Sequence, residues 1–111
     1  MKLAELSQKL SLEVQTVAGK LDQEVTGGYA SDLLSCVMAK AQAGNIWITI
    51  QNHPNIVAVA SLLNLAGIII AEGAKPDATT LEKAERENVV ILTSPLTTYA
   101  VSGKLFELGV R

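Results

Sequence analysis

The chain is poor in the side chains that chemistry most often uses. Its 111 residues contain one cysteine, Cys36, one histidine, His53, one tryptophan, Trp47, and three prolines. A lone cysteine excludes an intrachain disulfide and points to a reducing compartment, so a cytoplasmic location is expected. With one cysteine and one histidine there is no metal-ligand spacing, and neither a metal nor a cofactor is expected. Charge is scarce too: 18% of residues are charged and the net charge is −2, which leaves no basic face for a phosphate backbone and speaks against nucleic acid. No apolar run is long. Ile56 to Leu63 is interrupted by Ser61 and falls well short of the roughly 20 residues that a membrane span requires. Met1 to Leu10 mixes Lys2, Glu5, Gln8 and Lys9 among its apolar residues, so it reads as an amphipathic helix and not as a signal-peptide core.

What the chain has is apolar bulk. Hydrophobic residues make up 49% of the sequence and the mean hydropathy is +0.30, as expected of a sheet covered on both faces. The length fits one domain spanning residues 1–111. So little charge on so small a surface suggests that some apolar area is hidden between subunits, and a homodimer is expected.

From Asn45 onward, short apolar runs alternate with helical patterns, the mark of βαβ crossovers and a mainly parallel sheet flanked by helices. Ile46–Ile50, Gly67–Ala71 and Val89–Leu92 are the predicted interior strands. A helix follows each. The first begins near Pro54 and is apolar almost all round; in the second, Thr79 and Glu82 match a capping box, with Leu81 and Ala84 facing inward. The third takes Ser94–Pro95 as cap and first turn, buries Val101, Leu105 and Leu108, and stops at Gly109. The N-terminal half is less regular. Leu3–Leu10 reads as a helix, Leu12–Ala18 as a strand, and Glu24–Val25 as the start of another that Gly27–Gly28 breaks with a tight turn. A helix capped by Ser31 or Asp32 then carries Leu33, Leu34, Val37, Met38 and Ala41 on its apolar face and ends at Gly44.

In an open parallel sheet the strands end at one edge, where each following helix presents unpaired N–H groups and the positive end of its dipole. The junctions there read Gln51–Asn52–His53–Pro54–Asn55, Glu72–Gly73–Ala74–Lys75 and Thr93–Ser94–Pro95–Leu96–Thr97–Thr98. The candidate ligand-binding residues are therefore Gln51, His53, Asn55, Ser94 and Thr97, joined by Ser31 and Asp32 if their loop lies alongside. Structural roles compete for each. His53 before a helix-starting proline serves as a cap as readily as an acid or base, and Asp32 and Ser94 are explained by helix starts. Cys36 reads as a small buried hydrophobe and Trp47 as core or interface packing. A phosphate-cradling loop needs a glycine five positions before its Gly-Lys pair and a hydroxyl after it. Gly103–Lys104 has Thr98 and Leu105 in those places, Gly19–Lys20 has Val14 and Leu21, and no Gly-x-Ser-x-Gly elbow occurs.

The wording of the chain carries a resemblance. Gly27-Gly28-Tyr29, Ser31-Asp32-Leu33-Leu34-Ser35, Val37-Met38-Ala39 and the run Trp47-Ile48-Thr49-Ile50-Gln51 with His53-Pro54-Asn55-Ile56-Val57-Ala58-Val59-Ala60 resemble stand-alone DRTGG domain proteins, including the type found near iron-hydrogenase genes. Of the motif behind that name the chain keeps Thr26-Gly27-Gly28. Ile91-Leu92-Thr93-Ser94-Pro95-Leu96-Thr97-Thr98 is similar to the N-terminal domain of HPr kinase/phosphorylase. The resemblance implies that domain's α/β fold and a sensory or regulatory module of the kind that accompanies CBS domains. It does not bring kinase activity, which resides in a separate domain with the phosphate loop that this chain lacks.

The expected function is thus a non-catalytic regulatory or sensory domain, holding a small anionic or nucleotide-like ligand at the carboxyl edge of its sheet. The alternative is a protein-interaction module for a hydrogenase-associated or phosphorelay partner. A small enzyme using His53 comes last.

Overall fold

The computed structural model describes residues 1–17 and 19–111. Ten elements follow along the chain: α1 (Leu3–Lys9), β1 (Glu13–Val14), β2 (Gly27–Ala30), α2 (Leu34–Lys40), β3 (Asn45–Thr49), α3 (Asn55–Leu63), β4 (Gly67–Ile70), α4 (Ala78–Glu87), β5 (Ile91–Thr93) and α5 (Thr98–Glu107). They build one five-stranded sheet in the order β1-β5-β4-β3-β2. The ladders from β2 to β5 are parallel, and β1 joins β5 antiparallel.

The alternation of side chains along each strand splits the core into two layers. Ile46, Ile48, Ile69 and Leu92 face one way and pack with Leu3, Leu6, Val101 and Leu105 of α1 and α5. Trp47, Ile68, Ile70 and Ile91 face the other way, onto Val37, Ile56, Val57 and Ala84 of α2, α3 and α4. Trp47 and the isoleucines of β4 are fully buried. Each such aliphatic side chain contributes about 1.5–3 kcal/mol of transfer free energy. The expected three-layer logic of a parallel sheet is therefore met, and β3 and β4 occupy the runs read as interior strands.

Several local expectations are overturned. Gly27–Gly28 does not break the chain; it opens β2, in register with Asn45 and Ile46. A Cβ at Gly27 would sit 3.1 Å from the Asn45 side chain and 3.5 Å from the Arg111 carbonyl carbon, so a bare backbone suits this strand. Of the predicted Leu12–Ala18 strand, Glu13 and Val14 form the ladder with β5, Gln15 donates its N–H to the Ile91 carbonyl and Thr16 accepts from the Ile91 N–H, and Ala18 lies outside the described residues. β5 starts two residues later than expected.

The caps also differ. Neither Ser31 nor Asp32 caps α2; Leu33 holds that position without a side-chain bond, and Leu33 and Met38 are exposed, so the buried face is narrower than predicted. Cys36 is only half-buried. Asp77, not Thr79, caps α4 by accepting from the Thr80 N–H, and Thr80 with Ala84 forms the buried stripe while Leu81 is half-buried. Thr97, not Ser94, caps α5. Leu62 of α3 is exposed, so that helix is buried on one side only. Among the described residues no helix is long and apolar enough to cross a membrane, and no three of the His, Cys, Asp and Glu side chains are placed to hold a metal.

Candidate functional site

Three knots of polar groups form at the carboxyl edge. The first ties β2 to β3. The Asp32 carboxylate accepts from the Thr49 hydroxyl at 2.8 Å and from the Ile50 N–H at 2.9 Å, while Gln51 donates to the Asp32 carbonyl at 3.0 Å. Ser31 accepts twice, its hydroxyl from the Leu33 N–H and its carbonyl from the Trp47 indole at 2.8 Å. Ser31, Asp32 and Gln51 are thus brought together as expected, and each has a structural task that the sequence left open.

The second knot ties β3 to the start of α4. The Thr80 hydroxyl, fully buried, lies 2.8 Å from the Asn52 carbonyl and 2.7 Å from Asp77 Oδ1, and it has one proton to give. Asn52 donates its amide to the Lys75 carbonyl at 2.7 Å. Asp77 Oδ1 also accepts from the Thr80 N–H and the Thr79 hydroxyl. The Thr80 hydroxyl, then its N–H, then the Thr79 hydroxyl hold the Asp77 carboxyl down from the ordinary 3.8 to about 2. His53 stands at the rim, 70% exposed, with Nδ1 3.7 Å from Asp77 Oδ2. That separation is beyond a hydrogen bond. Asn55 beside it is exposed, and among the described residues its side chain has no hydrogen-bond partner.

The third knot lies between β4 and β5. Helices α2, α3 and α4 all pack on one face, whereas α5 packs on the other, so the chain switches faces between the ends of β4 and β5. A switch of this kind opens the usual crevice of an α/β sheet. Here main chain fills it: the Glu72 N–H donates to the Leu96 carbonyl at 2.7 Å and the Gly73 N–H to the Ser94 carbonyl at 3.1 Å. Glu72 sits in the left-handed region with φ 61°, a conformation that costs a residue with a Cβ about 1–2 kcal/mol. That turn aims its carboxylate at the first turn of α5, where it accepts from the Thr98 N–H at 3.3 Å and hydroxyl at 3.1 Å. Ser94 is buried and accepts from the Leu96 N–H, and Thr97 accepts from the Ala100 N–H.

The proposed ligand residues therefore share one edge but fall into three groups, with only His53 and Asn55 turned outward and lightly engaged. Of the three helices that start between Asn55 and Thr98, α4 and α5 are capped by Asp77 and Thr97, while α3 has no side-chain cap and its Ile56 and Val57 N–H groups donate to the His53 and Pro54 carbonyls. A hollow of about 330 Å³ touches this edge only through Ser94, Pro95 and Leu96, and Lys9, Leu10, Ser11 and Lys104 complete its wall. The sequence reading missed Asp77, Thr80 and Glu72 as organisers. Asp77 was legible as an acid just before a helix start; Glu72 had no signal beyond the glycine that follows it.

Architecture and edge together define a three-layer α/β domain whose four parallel strands lie side by side in chain order. More particularly, the chain belongs to the DRTGG domain family, whose model matches residues 12–108. Among solved structures it is similar to the CBS and DRTGG domains of the regulatory region of Clostridium perfringens pyrophosphatase, complexed with the activator diadenosine tetraphosphate. The likeness has a TM-score of 0.72 at 20% identity and covers 92% of this chain and 44% of that one. The chain thus spans less than half of that structure, and at this identity the likeness speaks for the fold. No curated protein matches it.

Proposed function

We propose that this domain is a non-catalytic regulatory module that binds a small anionic or nucleotide-like ligand at the carboxyl edge of its sheet, centred on the start of α3. The observation that carries the reading is the pair of outward side chains, His53 and Asn55, at the start of α3, a helix without a side-chain cap. The Ile56 and Val57 N–H groups already donate to the His53 and Pro54 carbonyls, so the attraction for an anion rests on the positive end of the helix dipole and on the His53 and Asn55 side chains. Gln51 belongs to the same junction, Ser31 and Asp32 follow the adjacent β2, and Ser94 and Thr97 follow β5, two strands away along the same edge. The pyrophosphatase region complexed with diadenosine tetraphosphate supplies the ligand class to try first. Catalysis fits poorly, because the carboxylate nearest His53 is 3.7 Å away and already accepts from Thr79 and Thr80.

Thermal-shift titration with diadenosine tetraphosphate, adenosine nucleotides and acyl phosphates tests this. A ligand at 100 times its Kd stabilises the folded state by about 2.7 kcal/mol. The wild type is expected to shift with at least one of these and the His53→Ala, Asn55→Ala double variant is expected not to; equal shifts in both would refute the site.

A second reading, a docking module for a hydrogenase-associated or phosphorelay partner in the cytoplasm, draws on the exposure of Leu62 and Tyr99, which are 67% and 90% accessible. The iron-hydrogenase-associated type and the kinship with the HPr kinase N-terminal domain belong with that reading. Recovery of the chain from its host without any stable partner would count against it.

A further inference from the structure

The hollow of about 330 Å³ beside Ser94 is at the small end of the range for ligand pockets, and it stands apart from His53 and Asn55. Its helices, α1 and α5, cover one face of the sheet, whereas α3 covers the other. The two ends of the chain build it. α1 stops in a turn in which the Leu12 N–H reaches back to the Ser7 carbonyl and the Ser11 N–H to the Gln8 carbonyl. Glycine is the usual residue at the left-handed position of such a turn. Here Ser11 takes it, with φ 53°, and adds a hydroxyl-bearing residue to the wall beside Lys9. Lys104 of α5 and the segment Ser94–Leu96 after β5 close the other side.

The polar side chains of this wall have hydrogen-bond donors to spare. The chain carries a net charge of −2, yet two lysines and no acid line the hollow. Lys9 has Glu5 at 3.4 Å, one turn back on its own helix, whereas Lys104 has no acid in ion-pair range among the described residues. Ser94 is 3% exposed. Its hydroxyl oxygen accepts from the Leu96 N–H at 3.1 Å, but among the described residues its proton goes to no acceptor. A buried donor left unused costs free energy, and an oxygen placed in the hollow would take that proton. The Ser11 hydroxyl likewise has no partner among the described residues.

We propose that this hollow binds the phosphate group of a small phosphate monoester. Two ammonium groups match a dianion in charge, and together with the hydroxyls of Ser11 and Ser94 they supply donors for its oxygens. Lysine acts on phosphate as a point charge, without the planar two-point contact by which arginine reads a carboxylate. The apolar part of the wall selects an ester over the free ion: Leu10, Pro95 and Leu96 give a short carbon chain a surface to lie against. The site does not depend on the one at the start of α3, since β5 and β3 are separated by β4 and the covering helices differ.

Titration of the isotope-labelled full chain with n-butyl phosphate, and in parallel with inorganic phosphate, tests the proposal through amide chemical shifts. The Ser11, Leu96 and Lys104 amides are expected to move along a saturable curve, and butyl phosphate is expected to bind more tightly than inorganic phosphate. Lys9→Gln is expected to weaken binding about tenfold and Lys104→Glu by more. Both lysines are exposed, and the unliganded spectrum identifies variants that keep the fold. Wild-type binding in Lys104→Glu overturns the proposal, as do shifts confined to Asn52–Ile56 or the absence of any saturable shift. Equal affinity for inorganic phosphate overturns the choice of an ester. The reading at the start of α3 fails separately, by His53 and Asn55 amides that stay still with every ligand tried there.

Discussion

Thr80→Val removes one hydroxyl from a fully buried site and keeps the shape of the side chain. The lost group bridges the β3–α3 junction to the cap of α4, reaching the Asn52 carbonyl at 2.8 Å and Asp77 at 2.7 Å. Asp77 is half exposed, so losing the hydrogen bond costs about 0.5–1.5 kcal/mol net, whereas Thr80→Ser keeps the hydroxyl and loses a methyl group worth about 1 kcal/mol. For a domain of this size each kcal/mol lowers the melting temperature by about 4 °C, so Thr80→Val is expected to melt about 2–6 °C lower than the wild type. Trp47, the only tryptophan and fully buried, reports unfolding by its fluorescence in urea or heat. A second readout separates the hydroxyl from the methyl group. The Thr80 hydroxyl is the largest influence lowering the Asp77 pKa, so Thr80→Val should make the acid loss of stability shallower and Thr80→Ser should not. A stability loss under about 0.5 kcal/mol, within the range of an ordinary surface substitution, or an unmoved acid limb would refute the reasoning.

Two further outcomes follow from the same structure. The Asp77 carboxyl, lowered from 3.8 to about 2 on folding, stabilises the native state fully above the unfolded value, and that contribution is lost as pH falls through about 2; urea melts between pH 5 and 2 should show Asp77→Asn flattening this limb. Gly67→Ala would place a Cβ 3.2 Å from the Val90 carbonyl oxygen and 3.4 Å from Ile46, and because a backbone oxygen in a ladder cannot yield, chemical denaturation should show a loss of about 1–3 kcal/mol.

The fold was legible where burial is symmetric and hidden where partners are distant. Trp47-Ile48-Thr49 and Ile68-Ile69-Ile70 announce themselves because both faces of an interior parallel strand need apolar side chains. Gly27-Gly28-Tyr29-Ala30 has little strand propensity of its own; it is a strand because Asn45 to Ile48 offer it a ladder, and a Cβ at Gly27 would press on the Asn45 side chain at 3.1 Å. The carboxyl edge was predictable as a place, since it follows from the alternation alone. Which residues remain available there was not. Asp32 and Gln51 are absorbed in joining β2 to β3, a contact between segments 19 positions apart, and the capping of α5 involves Glu72 from 26 positions upstream. Short-range patterns do not carry such pairings.

The order of the sheet also bears on how the chain reaches it. Register partners Gly27 with Asn45, Ile46 with Gly67, and Ile68 with Ile91 are separated by one crossover each, so the parallel ladder grows by successive closures of similar, modest length. One strand does not join in this way. β1 meets the far edge of the sheet, where Gln15 donates to the Thr93 hydroxyl across 78 positions of chain. Loop closure costs more with length, though only logarithmically, and contacts so distant are expensive until the rest is in place. This antiparallel stitch is therefore expected to close last in folding, tying the first third of the sequence to the last.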